Sequence, residues 1–351
     1  MHRPRMTVTG ARVRLTEAGW DTDLAYEVIA EPLRPLEDHE VLVRVEACGV
    51  CHRDLIDRAG RFPFQTYPIT PGHEAAGVVV AVGAAVRAFA PGDRVATMHR
   101  DSCGECASCL AGETSLCERS AWVFGILADG GYATHVIAPE RALFAVPRAL
   151  PAAEAAVLHC TFGTAYRDLV TLGGLRAGER VLVTGANGGV GSAAVQIAAR
   201  LGAEVVAVVR AESHAAALRA LGASAVIVAA DGRFTEGVGK IDLALDTVGA
   251  ATFPAALRTL RVGGRIVVVG NILAERVALN LGYIITLGLR IIGGSGATAA
   301  EMERLLAMHR EAPFAVQIDR VLPLSRADAA QRLVRAGGLR GRVVLSCSDE
   351  E

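Results

Sequence analysis

The chain is poor in aromatic residues, which fill 5% of its 351 positions, and carries little excess charge, with a formal net of -1. Balanced charge removes the bulk electrostatic case for a nucleic-acid or anionic-membrane partner. Long apolar runs are also missing. The nearest approach to a membrane span, AALRTLRVGGRIVVVGNILAE, is broken by Arg258, Arg261 and Arg265, whereas a spanning helix needs about 20 mostly apolar residues. The amino-terminal MHRPRMTVTGARVRL has basic residues without the apolar segment of a secretory signal behind them, so a cytoplasmic location is expected. No internal repeat or low-complexity tract interrupts the chain.

What is present suits two cores. Hydrophobic residues make up 52% of the chain and 38 glycines allow tight turns, and the length supports two domains. HEVLVRVEACGVC alternates valines with polar residues, GHEAAGVVVAVG is an apolar run closed by glycines, and FAPGDRVAT is a turn leading into a strand. The first 150 or so residues therefore read as β-rich. LPAAEAAVLHCTFGTAYRDLV turns helical behind Pro151. From about residue 180 the pattern becomes strand, Gly-rich turn, helix, strand. ALGASAVIVAA, IDLALDTVG, RTLRVGGRIVVVGN and GLRIIGG supply further short strands, AEMERLLAMHREAP reads as an amphipathic helix and GRVVLSCSDE as a final strand. The fold class is α/β, with a parallel sheet in the second half.

VLVTGANGGVG sets Gly185, Gly188 and Gly191 between a strand and a helix, with Asn187, Gly189 and Val190 among them. Such a turn lets backbone approach a pyrophosphate at a helix start, so a dinucleotide is the expected cofactor. The next strand ends VVAVVRAESH, with Val209 and Arg210 where an acidic residue would hold the ribose of NAD. Arg210 suits a 2′-phosphate, so NADP(H) is preferred over NAD(H). Ser213 and Arg233 are weaker helpers. Two further strands end in DTVG and VVGN, putting Thr247, Val248, Gly270 and Asn271 where ribose or nicotinamide contacts are expected. Asp246 suits a turn-forming role.

Cys103, Cys106, Cys109 and Cys117 follow C-x2-C-x2-C-x7-C. In a reducing compartment, cysteines at such spacing point to a metal more than to disulfides. Four thiolates complete the tetrahedron of zinc and leave no open position, so this loop would be structural; an iron–sulfur cluster uses similar ligands. Catalysis needs another centre. Cys51 follows an apolar strand, His73 opens GHE, and Cys160 precedes TFGTAY. Spacing alone does not unite these three, and any one could be an ordinary buried residue.

GVCHRD, PGHEAAGVVVAVG, PGDRV, the four-cysteine loop, CTFGTAY and VLVTGANGGVG together resemble the zinc-dependent alcohol dehydrogenase superfamily, the medium-chain dehydrogenases/reductases. The likeness runs through nearly the whole chain. It implies a GroES-like β-rich catalytic domain over 1–155 with a structural-zinc loop at 103–117, a Rossmann domain over 156–298, and a segment 299–351 returning to the catalytic domain. It also implies two zinc ions. Cys51, His73 and Cys160 would bind the catalytic one, with Glu74 as an alternating ligand, and the four-cysteine loop the other. Asp54 would orient a ligand, His52 would approach the cofactor pyrophosphate, and Thr164 would lie in the cofactor site. The match departs from the usual alcohol dehydrogenases at Arg53, where a relay hydroxyl is common, and at Ile56, where a relay histidine is common. Arginine stays charged and cannot act as a hydroxyl relay.

CHRDLIDRAGRFPFQTYPITPGHE and GNILAERVALNLGYIITLGLRIIGGSGAT are most similar to the acryloyl-coenzyme A reductase branch, which also has arginine in this motif. That implies NADPH-linked reduction of a conjugated C=C in an enoyl thioester or enone, and a small-molecule substrate such as a CoA thioester. Interconversion of an alcohol with an aldehyde or ketone is the alternative. A non-catalytic cofactor-binding protein is a further one, against which stands the intact ligand set. The apolar stretch from Asn280 to Gly293 and the habits of the superfamily imply a homodimer or homotetramer.

Overall fold

The computed structural model describes residues 7–32, 34–272 and 275–348; the basic start, part of the GNILAERVALNLG stretch and the last three acidic residues lie outside it. The strands are β1 (Thr7–Arg14), β2 (Ala25–Pro32), β3 (Glu40–Val50), β4 (Ala75–Val82), β5 (Arg94–Thr97), β6 (His135–Pro139), β7 (Leu143–Ala145), β8 (Arg180–Val183), β9 (Glu204–Val209), β10 (Ala225–Val228), β11 (Ile241–Asp246), β12 (Leu260–Val268), β13 (Arg290–Gly293), β14 (Ile318–Pro323) and β15 (Arg342–Ser346). They divide between two compact units, one made of residues up to His159 together with Ile318 onward, the other of Cys160 to Gln317.

In the first unit, β1 and β2 pair as an antiparallel ribbon, and a seven-stranded sheet runs β14-β15-β3-β4-β5-β7, with β6 also on β3. Val41, Val43 and Val45 lie on one face of β3 and share one buried cluster with Val79, Val95, Phe124 and Tyr132, while Arg44 between them is exposed. β3 has three neighbours because it is long: β4 pairs with residues 41–48, β6 with residues 40–44 and β15 with residues 47–50. The helix Ala327–Ala336 packs against the short helix His52–Arg58. Arg58, fully buried, holds Asp328 at 2.7 Å, and its guanidinium lies 4.4 Å from the Trp20 ring centroid. A buried cation needs such partners, and here they tether the helix that follows Cys51.

The second unit is a six-stranded sheet in the order β10-β9-β8-β11-β12-β13. All its pairs are parallel. Val181–Val183 and Val205–Ala207 are wholly buried, as expected of a parallel sheet covered by helices. The order reverses between β8 and β9 on one side and β11 on the other, which places the turn after β8 at a topological switch point.

The return of the chain begins later than the expected residue 299. The helix Ala299–Glu311 belongs to the second unit. Its first-turn Glu301 closes a capping box on Thr298 and pairs in the interior with Arg167 at 3.0 Å. A buried carboxylate must stay with its counter-ion, and Arg167 lies in the second unit.

Candidate active site and structural metal loop

Cys51 ends β3 and caps the helix His52–Arg58. Its backbone N–H donates to Asp54 Oδ2 at 2.8 Å. Asp54 turns its other oxygen to His73 Nδ1 at 3.1 Å, and the Tyr132 hydroxyl donates to Asp54 Oδ2 at 3.0 Å. The carboxylate thus fixes the imidazole orientation, with Nε2 on the side of the Glu74 carboxylate. His73 is positioned from behind. Gly72 has φ +96, and a Cβ there would meet the Tyr132 ring at 2.4 Å, so PGHE requires its glycine. Thr97 on β5 donates to the His73 carbonyl at 3.1 Å.

Cys51, His73, Glu74 and Cys160 bring one ligand atom each to within 4.8 Å of one another. Cys160 stands on a π-helical turn, His159–Gly163, that continues the helix Ala152–Val157. Such widened turns recur at functional sites. Glu74, 1% exposed, is held by the Arg342 guanidinium from β15, and its Oε1 lies 3.8 Å from His73 Nε2. Burial opposes protonation of His73, yet the Asp54 carboxylate and the Cys51 sulfur outweigh it and raise its pKa well above the ordinary value. A place that favours positive charge in this way, lined by two sulfurs, an imidazole and a carboxylate, has the donor set for zinc.

Cys103, Cys106, Cys109 and Cys117 form a second group within the same 4.8 Å limit. All four are free thiols. The Sγ atoms of Cys103 and Cys109 are 3.9 Å apart, and those of Cys106 and Cys117 are 4.0 Å apart. A disulfide needs about 2 Å, whereas four sulfurs about 2.3 Å from one zinc stand roughly 3.8 Å from each other. Backbone N–H groups of Cys109 and Glu118 lower the Cys106 pKa, while burial raises that of Cys109. The set fits a closed tetrahedral metal site.

In the second unit the Gly-rich turn follows β8 and opens the helix Gly189–Arg200, capped by Gly188. A Cβ on Gly191 would stand 2.3 Å from the Gly185 carbonyl oxygen, so helix and turn approach as closely as a pyrophosphate cradle demands. Asp246 is buried and accepts from Thr184 at 2.5 Å and Thr252 at 2.6 Å. It ties the ends of β8 and β11 together and is a turn former. Thr247 donates to the Thr184 carbonyl at 2.8 Å. Gly270 packs on Thr247, so close that no Cβ fits. Arg210 is exposed just past β9, and its side chain has no partner among the described residues. Ser213 lies three residues on in a short 3-10 turn. His52 is exposed and Thr164 buried.

Sequence reading passed over Tyr132, Arg342 and His99. Tyr132, in the bend before β6, touches Asp54, and Arg342 on β15 touches Glu74. His99 sets its ring 5.0 Å from that of His73, edge to face; its position next to the ligand had no local motif to announce it. Phe124 is a core residue at 1% exposure.

Residues 37–148 match the model of the alcohol dehydrogenase GroES-like domain, and residues 189–311 that of the zinc-binding dehydrogenases. The acryloyl-coenzyme A reductase of Sulfurisphaera tokodaii is 33% identical over 91% of this chain and 95% of its own length. An alcohol dehydrogenase of Geobacillus stearothermophilus is 35% identical over 87% of this chain and 91% of its own. The crystal structure of AibC superposes with a TM-score of 0.88 at 40% identity, covering 96% of both chains. With both metal-ligand groups assembled and similarity along nearly its full length, the chain belongs to the zinc-dependent alcohol dehydrogenase superfamily, the medium-chain dehydrogenases/reductases, as a zinc-binding oxidoreductase that uses NAD(P)(H).

Proposed function

We propose that this oxidoreductase reduces the conjugated C=C of an enoyl thioester or enone with NADPH. The observation that carries the reading is Arg53. It stands two residues from Cys51, with Nε 2.7 Å from Asp57 Oδ1. A guanidinium keeps its protons and its charge in such a pair, so it cannot give and take the hydroxyl proton of an alcohol. Conjugate reduction does not need that relay. The likeness to acryloyl-coenzyme A reductases supports the same branch.

Cys51, His73 and Cys160 would hold the catalytic zinc, with Glu74 able to exchange into the set. Bound there, zinc supplies Lewis acidity toward a carbonyl oxygen, and the dinucleotide supplies hydride. Asp54 keeps the His73 ring aimed, and Arg342 restrains Glu74 when it is not a ligand. In the cofactor half, Gly185, Asn187, Gly188, Gly189, Val190 and Gly191 would cradle the pyrophosphate, and the family resemblance assigns His52 to the same group. Thr164, Thr247, Val248, Gly270 and Asn271 would contact the ribose or nicotinamide. Arg210 and Ser213 would take the 2′-phosphate. Arg210→Ala should then raise KM for NADPH about 10-fold or more and leave NADH unchanged, since a charged hydrogen bond is worth about 1.5–3 kcal/mol.

Alcohol–carbonyl interconversion is the second reading, favoured by the similarity to alcohol dehydrogenases. Zinc-loaded protein offered acryloyl-CoA, crotonyl-CoA, a simple enone and a small aldehyde, with NADPH or NADH, separates the two. A saturated thioester or ketone supports our reading; an alcohol from the aldehyde alone defeats it. No helix of the described residues is long and apolar enough to cross a membrane, and the free thiols of the ligand groups suit the reducing cytoplasm. A second copy of the chain would pair along β13, the edge of its sheet, where Leu281 is 66% and Ile285 78% exposed. Light scattering on Ile285→Glu tests that association.

A further inference from the structure

Arg53 is more than the replacement for a hydroxyl. Its guanidinium is locked from two directions. Nε pairs with Asp57 at 2.7 Å, with Asp57 6% exposed and Arg53 28% exposed at their side chains. The guanidinium carbon lies 4.0 Å from the centroid of the Phe62 ring. Phe64 in turn packs edge-on to Phe62 at 5.5 Å. The terminal nitrogens of Arg53 make no hydrogen bond among the described residues, so the end of the fork is fixed yet unused. It stands two residues beyond Cys51, on the helix that this cysteine caps. Asp57 feels the charge of His73, and Arg53 is one of the charges acting on His99, whose ring lies against His73.

We propose that Arg53 is a substrate-binding residue whose fork holds a two-oxygen anionic group carried by the substrate, so that anion-bearing substrates are selected over neutral ones of the same size. A planar fork with parallel N–H donors matches a carboxylate or a phosphate, and little side-chain freedom is left to lose on binding. Lysine would keep the charge without the fork. The inference rests on the metal centre being the reaction site, as proposed above, but not on which bond is reduced there. The anion has two possible sources, a carboxylate on the reacting fragment or a phosphate on a thioester carrier.

The test uses the zinc-loaded full chain and pairs of substrates that differ in one anionic group. Succinic semialdehyde against butanal, and the fumaryl against the crotonyl thioester of pantetheine, report a carboxylate. Crotonyl-CoA against crotonyl-dephospho-CoA, and crotonyl-4′-phosphopantetheine against crotonyl-pantetheine, each report one phosphate. Wild type should favour the anionic member of at least one kind of pair. Arg53→Gln should cut that kcat/KM ratio about 10-fold or more while the neutral member changes less than about threefold. Arg53→Lys should recover only part of the ratio. Phe62→Leu, which removes the stack and no charge, should lower it in the same direction. Because aldehyde and enoyl pairs are both included, the C=C reading can fail without touching this result. Equal losses on both members of every pair, the mark of a residue that only braces its loop, would overturn the proposal. So would a change confined to the Kd of NADPH, or a wild type without preference in any pair.

Discussion

Asp168 gives the sharpest consequence of burial in this fold. It lies on the helix end Arg167–Leu172 of the second unit and is wholly buried. Its Oδ1 accepts from the Ser295 backbone at 3.1 Å, while Oδ2 has no hydrogen-bond partner among the described residues. Burial raises its pKa from 3.8 to about 8, against the pull of the Ser295 N–H and of Arg167 and with some help from Glu301. The folded pKa lies above the unfolded one, so the folded protein holds the extra proton between those two values. The associated stability is fully present below about pH 4 and is lost as pH rises to about 8. At about 1.36 kcal/mol per pH unit, the slope amounts to roughly 6 kcal/mol across the whole window. Asp168→Asn keeps the oxygen that faces Ser295 and removes the titration. Urea unfolding of zinc-loaded wild type and variant, run at pH 5 and pH 7, isolates this group because other titrations are common to both. Relative to wild type, the variant should gain about 3 kcal/mol of stability between the two pH values. A difference that stays constant within about 0.5 kcal/mol would show that Asp168 is ionised throughout, and that the neighbouring cation outweighs desolvation.

The remaining expectations concern the metal sites. Arg342→Ala strips the counter-ion from buried Glu74 and should cost about 3–5 kcal/mol, seen as a lower thermal midpoint. Asp54→Asn should weaken catalytic zinc binding about 10- to 100-fold in chelator competition, because the carboxylate that orients His73 is lost. Cys109→Ser should reduce zinc from two ions per chain to one by elemental analysis, and increase proteolysis near residues 103–117 before any change at Cys51 and His73. If the zinc content stays at two, the loop does not need its fourth sulfur.

The parts of this protein that depend on neighbours in the chain were legible in the residues themselves. The valines of β3 and β4, the glycines after β8 and the close spacing of Cys103 to Cys117 each state a local requirement: burial by alternation, backbone approach, or a tetrahedral ligand set. The proposed catalytic ligands are different. Cys51, His73 and Cys160 come together only because β3, the turn before β4 and the helix at Ala152 converge, and spacing in the sequence has no record of that; family resemblance supplied the grouping. Likewise β14 and the helix Ala327–Ala336 were not read in advance, and the chain's return begins at Ile318 because Glu301 follows its buried partner Arg167. By itself the sequence determined the two kinds of sheet, the dinucleotide turn and the existence of a thiolate metal loop, all products of short-range periodicity and spacing. Tertiary structure alone decided that Arg342 would restrain Glu74, that Tyr132 and Asp54 would aim His73, and that Asp57 and Phe62 would lock Arg53, because buried charges find partners by proximity in space rather than along the chain.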